Sequence, residues 1–320
     1  MSGGSAGWQA LVLLFNFSSA LLTIIVNKYA LAVFPHPAAL TALHYLISSA
    51  FVVSLRSAQT FERGTVAPRH RAAYLALICI WALCNSLSNA SLEANSVGFY
   101  SLLKVLVVPI VALLDYLVYA KALPFGKAAL LVTACCGVAV ATVSDVQLNA
   151  RGATLAVFSV LSGVGQKMLN EHLQQRGGLS TLQLMDLCFP AMTVLAVLTV
   201  PLMDKPGVLA RVLSLSASEA GLVALSSAVA VSINYSTTLV LGVTNALALV
   251  LLGQLKTCAV LLAGYLLFDA APNSRVLGGA TTAMSSLCAY AWLKLRDTRQ
   301  KQMTERQLLM ESLMEGGASR

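Results

Sequence analysis

The stretch Gly98-Phe99-Tyr100-Ser101-Leu102-Leu103-Lys104-Val105-Leu106-Val107-Val108-Pro109 continues apolar as far as Tyr119, broken only by Asp115. A helix that crosses a bilayer needs about 20 predominantly apolar residues, so this run is long enough to span, with Lys104 inside it. Similar runs lie at 9–33, 37–55, 72–91, 126–144, 152–171, 181–203, 219–241, 243–268 and 274–293. Turn-forming punctuation separates them, for example Pro35-His36-Pro37, Pro124, Gly177-Gly178, Pro206-Gly207 and Pro272-Asn273. The chain is 58% hydrophobic and only 11% charged, with mean hydropathy +0.77. Soluble domains carry about 25% charged residues. This composition excludes a wetted globular surface, and with it an ordinary cytosolic enzyme, a disordered chain or a disulfide scaffold. The expectation is an all-α polytopic membrane protein with ten transmembrane helices.

The positive-inside rule orients the spans. With the amino terminus cytosolic, one side receives Arg56, Arg63, Arg69, Arg71, Lys121, Lys127, Lys167, Arg176 and the cations of the carboxyl tail. The other side receives only Arg151, Lys205, Arg211 and Arg275. Both termini are therefore expected in the cytosol. Residues 1–8 form the cytosolic amino terminus, 9–144 a first group of five spans, 145–151 a luminal connection, 152–293 a second group of five, and 294–320 a cytosolic tail. An odd number of spans per half inserts the second half upside down, which predicts two inverted five-helix repeats with a binding site near the midplane. Leu308, Leu309 and Leu313 among charges suggest that the tail forms a short amphipathic surface helix.

A lysine at the centre of a spanning helix costs on the order of 2.5–3.5 kcal/mol. Lys104 in the fourth span and Lys256 in the ninth occupy the fourth helix of each half, and neither has an acid one helical turn away. Two cations facing a water-filled cavity would receive an anion, and a phosphate ester suits a compact ammonium. The structural alternative is that Asp186 in the seventh span pairs with one of them. Lys28, after Asn27 at the outer end of the first span, can snorkel to the interface, so both residues and Asp186 are expected in gating or structural roles. His44 reads as a hydrogen-bonded interior residue. Asn85 and Ser88 on span three, and Asn234 and Tyr235 on span eight, are either interhelical hydrogen-bonding groups or pocket walls. The seven cysteines show no metal or disulfide spacing. No catalytic constellation, metal or cofactor site is found, and cations without interleaved aromatics exclude nucleic acid as a partner.

Asn95-Ser96-Val97-Gly98-Phe99-Tyr100 followed by Lys104 and Pro109, together with Leu252-Gly253-Gln254-Leu255-Lys256-Thr257, resembles the fourth and ninth helices of plant nucleotide-sugar transporters. These belong with the triose-phosphate translocators to the drug/metabolite transporter superfamily, and the resembling subgroup carries a Lys-Thr signature. The resemblance implies a Golgi antiporter that exchanges a cytosolic nucleotide sugar for a luminal nucleoside monophosphate. It ranks the endoplasmic reticulum and plastid envelope behind the Golgi, and leaves a homodimer open. It implies that Lys104 and Lys256 hold phosphate, with Tyr100, Ser101, Gln254, Thr257, Asn85, Ser88, Asn234 and Tyr235 nearby. Thr257 and Asn85 stand where triose-phosphate translocators carry Arg and His, which favours a UDP-sugar. Ser101, Gln254 and Gly165-Gln166 depart from the subgroup pattern and leave galactose, rhamnose and xylose open. The alternatives are a plastid-type organic-phosphate/phosphate antiporter and, from another class, a non-transporting membrane scaffold or receptor.

Overall fold

The computed structural model describes residues 6–95, 100, 106–119, 123–143, 150–243, 253, 256 and 274–318. Its long helices are α1 (Ala6–Val33), α2 (Pro37–Ser57), α3 (Arg71–Ala94), α4 (Val107–Tyr119), α5 (Phe125–Val143), α6 (Ala150–Gln175), α7 (Thr181–Met203), α8 (Ala217–Val243) and α9 (Ser274–Ala318). A short helix, Val208–Leu213, connects α7 to α8. The described residues are helical or irregular, with no strand among them. Five of the helices are long and apolar enough to cross a membrane: α1, α2, α3 with its preceding turn, α7 and α8. Most of the expected ninth span lies outside the described residues; Gly253 and Lys256 within it are described and helical.

Local chemistry explains the boundaries. Pro37 occupies the first turn of α2, where a missing N–H costs nothing. Ser180 caps α7 by accepting from the Gln183 amide, and the Gln183 side chain returns the bond to the Ser180 amide. Pro190 interrupts the ladder inside α7, and in that turn the Tyr74 hydroxyl of α3 donates to the Leu187 carbonyl at 2.8 Å. The last helix runs unbroken for 45 residues from Ser274. No Pro interrupts it and no Gly falls between 280 and 315, so the tail prolongs the final span instead of forming a separate short helix.

Helices pair across the two halves of the chain. The principal contacts join α1 to α8, α3 to α6, α2 to α7, and α5 to α9. If α1, α2, α3 and α5 are exchanged with α6, α7, α8 and α9 respectively, the α1–α8 pair becomes α6–α3, while α2–α7 and α5–α9 map onto themselves. The lesser contacts α2–α8 and α3–α7 also interchange. The largest core lies between α2, α3 and α7, where Tyr45, Trp81, Leu184 and Met185 surround Phe189. The Trp81 and Phe189 rings meet edge to face at 5.4 Å. The α5–α9 pair depends on small residues: Ala134, Ala280 and Ala283 are buried, and Gly137 lets the two backbones touch.

At the end of the bundle away from the amino terminus, side chains from distant segments cap helix termini. The Ala38 and Ala39 amides of α2 donate to the two carboxylate oxygens of Asp204 at 2.9 and 2.8 Å. Arg211 donates to the Val33 carbonyl at the end of α1. Lys28 donates to the Leu92 and Asn95 carbonyls at the end of α3, both at 2.7 Å. Each charge has the sign that the helix terminus favours. At the opposite end the buried Asp186 carboxylate receives Arg56 at 2.7 Å, with Arg63 at 3.7 Å. The expected alternative of an Asp186–lysine pair is thus corrected, because Arg56 in the last turn of α2 and Arg63 in the segment after it already satisfy this carboxylate.

His70, just before α3, and His172, in the last turn of α6, meet at 3.1 Å, and Arg69 donates to the other nitrogen of His70. Burial first, then the nearby His70 and Arg176, hold His172 below the ordinary histidine range. The unfolded chain therefore binds this proton more readily, so stability rises with pH across that range and falls on acidification. Lowering the pH from about 7.5 to about 5.5 should reduce the unfolding temperature, and His172→Gln should flatten that dependence. A second expectation concerns Gly137: a Cβ there would lie 2.6 Å from the Gly279 carbonyl oxygen and 2.7 Å from the Ala283 nitrogen. Backbone cannot yield as a side chain does, so Gly137→Ala should cost about 1–3 kcal/mol in thermal unfolding of the purified protein. Gly126→Ala on the same helix, where the added atom meets nothing within 4 Å, should be neutral or better.

Candidate functional site

A cavity of about 250 Å³ opens between α1, α3, α6 and α8, the four helices of the two interchanging pairs. This is close to the lower end of small-molecule pockets, about 300–1,000 Å³. Its walls are polar for a bundle of such apolar composition. Asn27 comes from α1, His44 from α2, Asn85, Ser88 and Asn89 from α3, Ser159, Gln166 and Lys167 from α6, and Asn234 and Thr237 from α8. Tyr100, which is 6% exposed, and Trp81 add aromatic surface. Concave, mostly apolar walls with a few converging polar groups are what a small polar ligand requires.

One wall is a hydrogen-bonded network through four helices. Ser226 donates to Asn27 Oδ1 at 2.8 Å, Asn27 Nδ2 donates to Asn89 Oδ1 at 3.2 Å, and Asn89 Nδ2 donates to Thr41 at 2.8 Å. His44 Nε2 lies 2.9 Å from the Ser226 hydroxyl. That hydroxyl spends its proton on Asn27, so the network assigns the proton of the contact to His44 Nε2. Asn27, His44 and Asn89 therefore tie α1, α2, α3 and α8 together while their edges face the cavity. On the opposite wall Ser88 and Ser159 hydroxyls meet at 2.6 Å across α3 and α6. Asn234 Nδ2 reaches Ser48 at 3.5 Å, linking α8 to α2.

The expected site residues divide into three groups. Asn85, Ser88, Tyr100 and Asn234, with Asn27 and His44, line the cavity. Lys28, Tyr235 and Asp186 do not: Lys28 caps α3, the Tyr235 ring lies 6.5 Å from that of Phe15, and Asp186 holds Arg56. Ser101, Lys104, Gln254 and Thr257 lie outside the described residues. Lys256 is described, and its ammonium donates to Asn16 Oδ1 of α1. Asn16 in turn donates to Ser236 at 3.0 Å and to the cavity-lining Thr237 at 3.1 Å. Lys256 is thus one amide away from the cavity wall.

Sequence reasoning missed Asn16 and Ser159, noted Gln166 only as a departure from the subgroup pattern, and misassigned Lys167. The last was counted among cations flanking a span, yet it stands inside α6, whose helix continues to Gln175, and faces the cavity. The misassignment arose because the expected span ended at 171, which left Lys167 within one turn of the interface. Its signal was the pair Gln166-Lys167 following an apolar run containing Gly163 and Gly165. Asn16 carried a fainter one, a single carboxamide in an otherwise apolar first span.

Comparison with known proteins gives this arrangement a lineage. Residues 9–285 match the Triose-phosphate Transporter family. The Arabidopsis thaliana protein named Nucleotide-sugar uncharacterized transporter 1 is 33% identical over 93% of this chain and 77% of its own length. Nucleotide-sugar uncharacterized transporter 2 from the same plant is 32% identical over 92% and 74%. UDP-xylose transporter 2, also from Arabidopsis thaliana, is 29% identical over 88% and 80%. A solved crystal structure, described only as that of a protein, shares the fold with TM-score 0.60 at 17% identity, covering 89% of this chain and 98% of the other. The family match extends over most of the chain, and the protein is a multi-pass membrane protein belonging to the Triose-phosphate Transporter family.

Proposed function

We propose that this protein carries nucleotide sugars across the Golgi membrane, taking a UDP-sugar from the cytosol in exchange for luminal UMP. The observation that carries the reading is the polar cavity between α1, α3, α6 and α8, with Lys167 on its wall and Lys256 one residue behind it. Relatives whose names specify nucleotide sugars, UDP-xylose and UDP-rhamnose/UDP-galactose support the cargo class. The interchange of helix pairs supports ten spans in two inverted repeats, with alternating access arising as the repeats rock about the cavity. The positive-inside asymmetry supports two cytosolic termini.

In this mechanism Lys104 and Lys256 grip the phosphates as compact charges. Tyr100, Asn85, Ser88 and Asn234 meet the base, ribose or sugar, and Ser101, Gln254 and Thr257 complete the surroundings of the two lysines. Coupling follows from charge. A closed cavity that holds ammonium groups in hydrocarbon is costly, and either phosphate ester lowers that cost, so exchange is favoured over leak.

Reconstitution into liposomes tests this directly. Labelled UDP-xylose, UDP-galactose or UDP-rhamnose should accumulate when UMP is loaded inside, and external uptake should be small without it. Lys256→Ala should lower exchange at least about tenfold, since removing one partner of a desolvated charge contact costs on the order of 2–5 kcal/mol. Sustained uptake only against internal inorganic phosphate would replace this reading with the organic-phosphate/phosphate antiporter. An absence of both exchange and ligand stabilisation would leave the scaffold or receptor.

A further inference from the structure

The hydrogen-bonded wall of the cavity has one polarity from end to end, and a backbone carbonyl sets it. The Pro37 carbonyl can only accept, so the Thr41 hydroxyl donates to it at 2.8 Å. With its proton so placed, Thr41 accepts from Asn89 Nδ2 at 2.8 Å, which turns Asn89 Oδ1 toward α1. That oxygen accepts from Asn27 Nδ2 at 3.2 Å, so Asn27 Oδ1 faces Ser226 and takes its proton at 2.8 Å. The Ser226 oxygen is left to accept, and His44 Nε2, 2.9 Å away, carries the proton of that contact. The opposite polarity would forfeit the Thr41–Pro37 bond and leave a proton on His44 Nδ1 with no acceptor among the described residues.

In a neutral imidazole one nitrogen donates and the other accepts, so the chain ends at His44 Nδ1 as a lone pair. His44 is 5% exposed and lines the cavity, and Nδ1 takes no partner among the described residues. Nor is that nitrogen sealed in by protein, as the partnerless His36 Nδ1 and Asn170 Nδ2 are. We infer that His44 is a specificity-determining residue: its Nδ1, held as an acceptor by the chain from Pro37 to Ser226, takes an N–H or O–H hydrogen of the nucleoside carried in the cavity. This rests on the proposed function and specifies which end of the cargo meets this wall. Uracil offers its N3–H, and ribose offers its 2′ and 3′ hydroxyls. Ionised phosphate oxygens only accept, so they gain nothing here. A site built to receive a hydrogen rejects an analogue lacking it far more sharply than an apolar wall rejects a change of shape. Asn27, which holds Ser226, and Asn16, which accepts from Lys256, stand eleven residues apart on α1, about 16 Å along the axis. The nucleoside and phosphate ends of the cargo thus address separate levels of the bundle.

The test reads ligand-dependent thermal stabilisation of the full-length protein in detergent, with UMP, N3-methyl-UMP, 2′-deoxy-UMP and 3′-deoxy-UMP as probes. In wild type, the analogue lacking the hydrogen that meets His44 should bind at least about tenfold more weakly than UMP. His44→Phe keeps a planar ring and removes the acceptor. It should weaken UMP by about tenfold and discriminate UMP from that analogue at least about fivefold less than wild type does. Coupling to N3-methyl-UMP assigns the base N–H, and coupling to a deoxy analogue assigns the ribose; either supports the inference. A histidine that only ties α2 to α8 would lower the unfolding temperature of the free protein and leave the discrimination as in wild type. Additive effects with all three analogues therefore overturn the assignment. If His44→Phe does not fold, Ser226→Ala replaces it: without that acceptor the ring proton is free to move to Nδ1, and discrimination should shrink at the same analogue. Unchanged discrimination in Ser226→Ala overturns the assignment. A wild type that UMP does not stabilise overturns the proposed function and this assignment with it, whereas a responsive wild type with additive variants overturns the assignment alone.

Discussion

A charged or polar group placed in hydrocarbon must find its partners inside the protein, and the bundle is organised around how that demand is met for lysine. Cations near the helix ends are satisfied permanently. Lys28 closes the carbonyls of α3, Arg211 those of α1, and Arg56 neutralises Asp186. Lys256 also donates to a carbonyl oxygen, the side-chain Oδ1 of Asn16. A neutral partner lowers the cost of burying the ammonium while leaving its field in place. What distinguishes Lys256 is its place, one carboxamide away from the cavity wall, whereas Lys28 sits at a helix end.

This division also sets the mechanics. The capped helix termini hold α1 and α2 to segments from the second half of the chain, so the two halves are joined at the end distant from the amino terminus. Arg56, His172 and Gln183 join them at the other end. The cavity lies between these two sets of links. Under the proposed function, alternating access consists of releasing one set while keeping the other, with α2–α7 and α5–α9 as the pairs that map onto themselves. The Asn27, His44, Asn89 and Ser226 network links α1, α2, α3 and α8 beside the cavity, so occupancy of the site and packing of these helices act on the same side chains.

Much of this was legible in the sequence. Apolar runs and their punctuation located the helices closely, and α7 starts and ends where expected because Ser180 and Asp204 are strong boundary signals. The cost of polar groups in hydrocarbon singled out Asn85, Ser88, Asn234 and His44, and the structure places all four on the cavity wall. Partners were not legible, because partnership is long-range. A lysine was the alternative partner considered for Asp186, yet its arginine lies 130 residues away in the last turn of α2. Lys167 was assigned to the interface because the end of a span cannot be read to within a turn, and one turn decides whether a lysine faces lipid headgroups or a cavity. Asn16 escaped notice because one carboxamide among apolar residues carries no spacing signal. The tail was separated from the last span on hydropathy, whereas the helix itself has no reason to stop there.

The proposed function depends on the cavity being an anion site in which lysine charge meets the phosphate of the cargo. UMP and uridine share a base and a ribose and differ in one phosphate, so their dissociation constants for the purified protein isolate that charge. The account predicts that UMP binds at least about a hundredfold more tightly than uridine at low salt, a difference of roughly 2.7 kcal/mol, and that the gap narrows as salt is added. Equal affinities would contradict it.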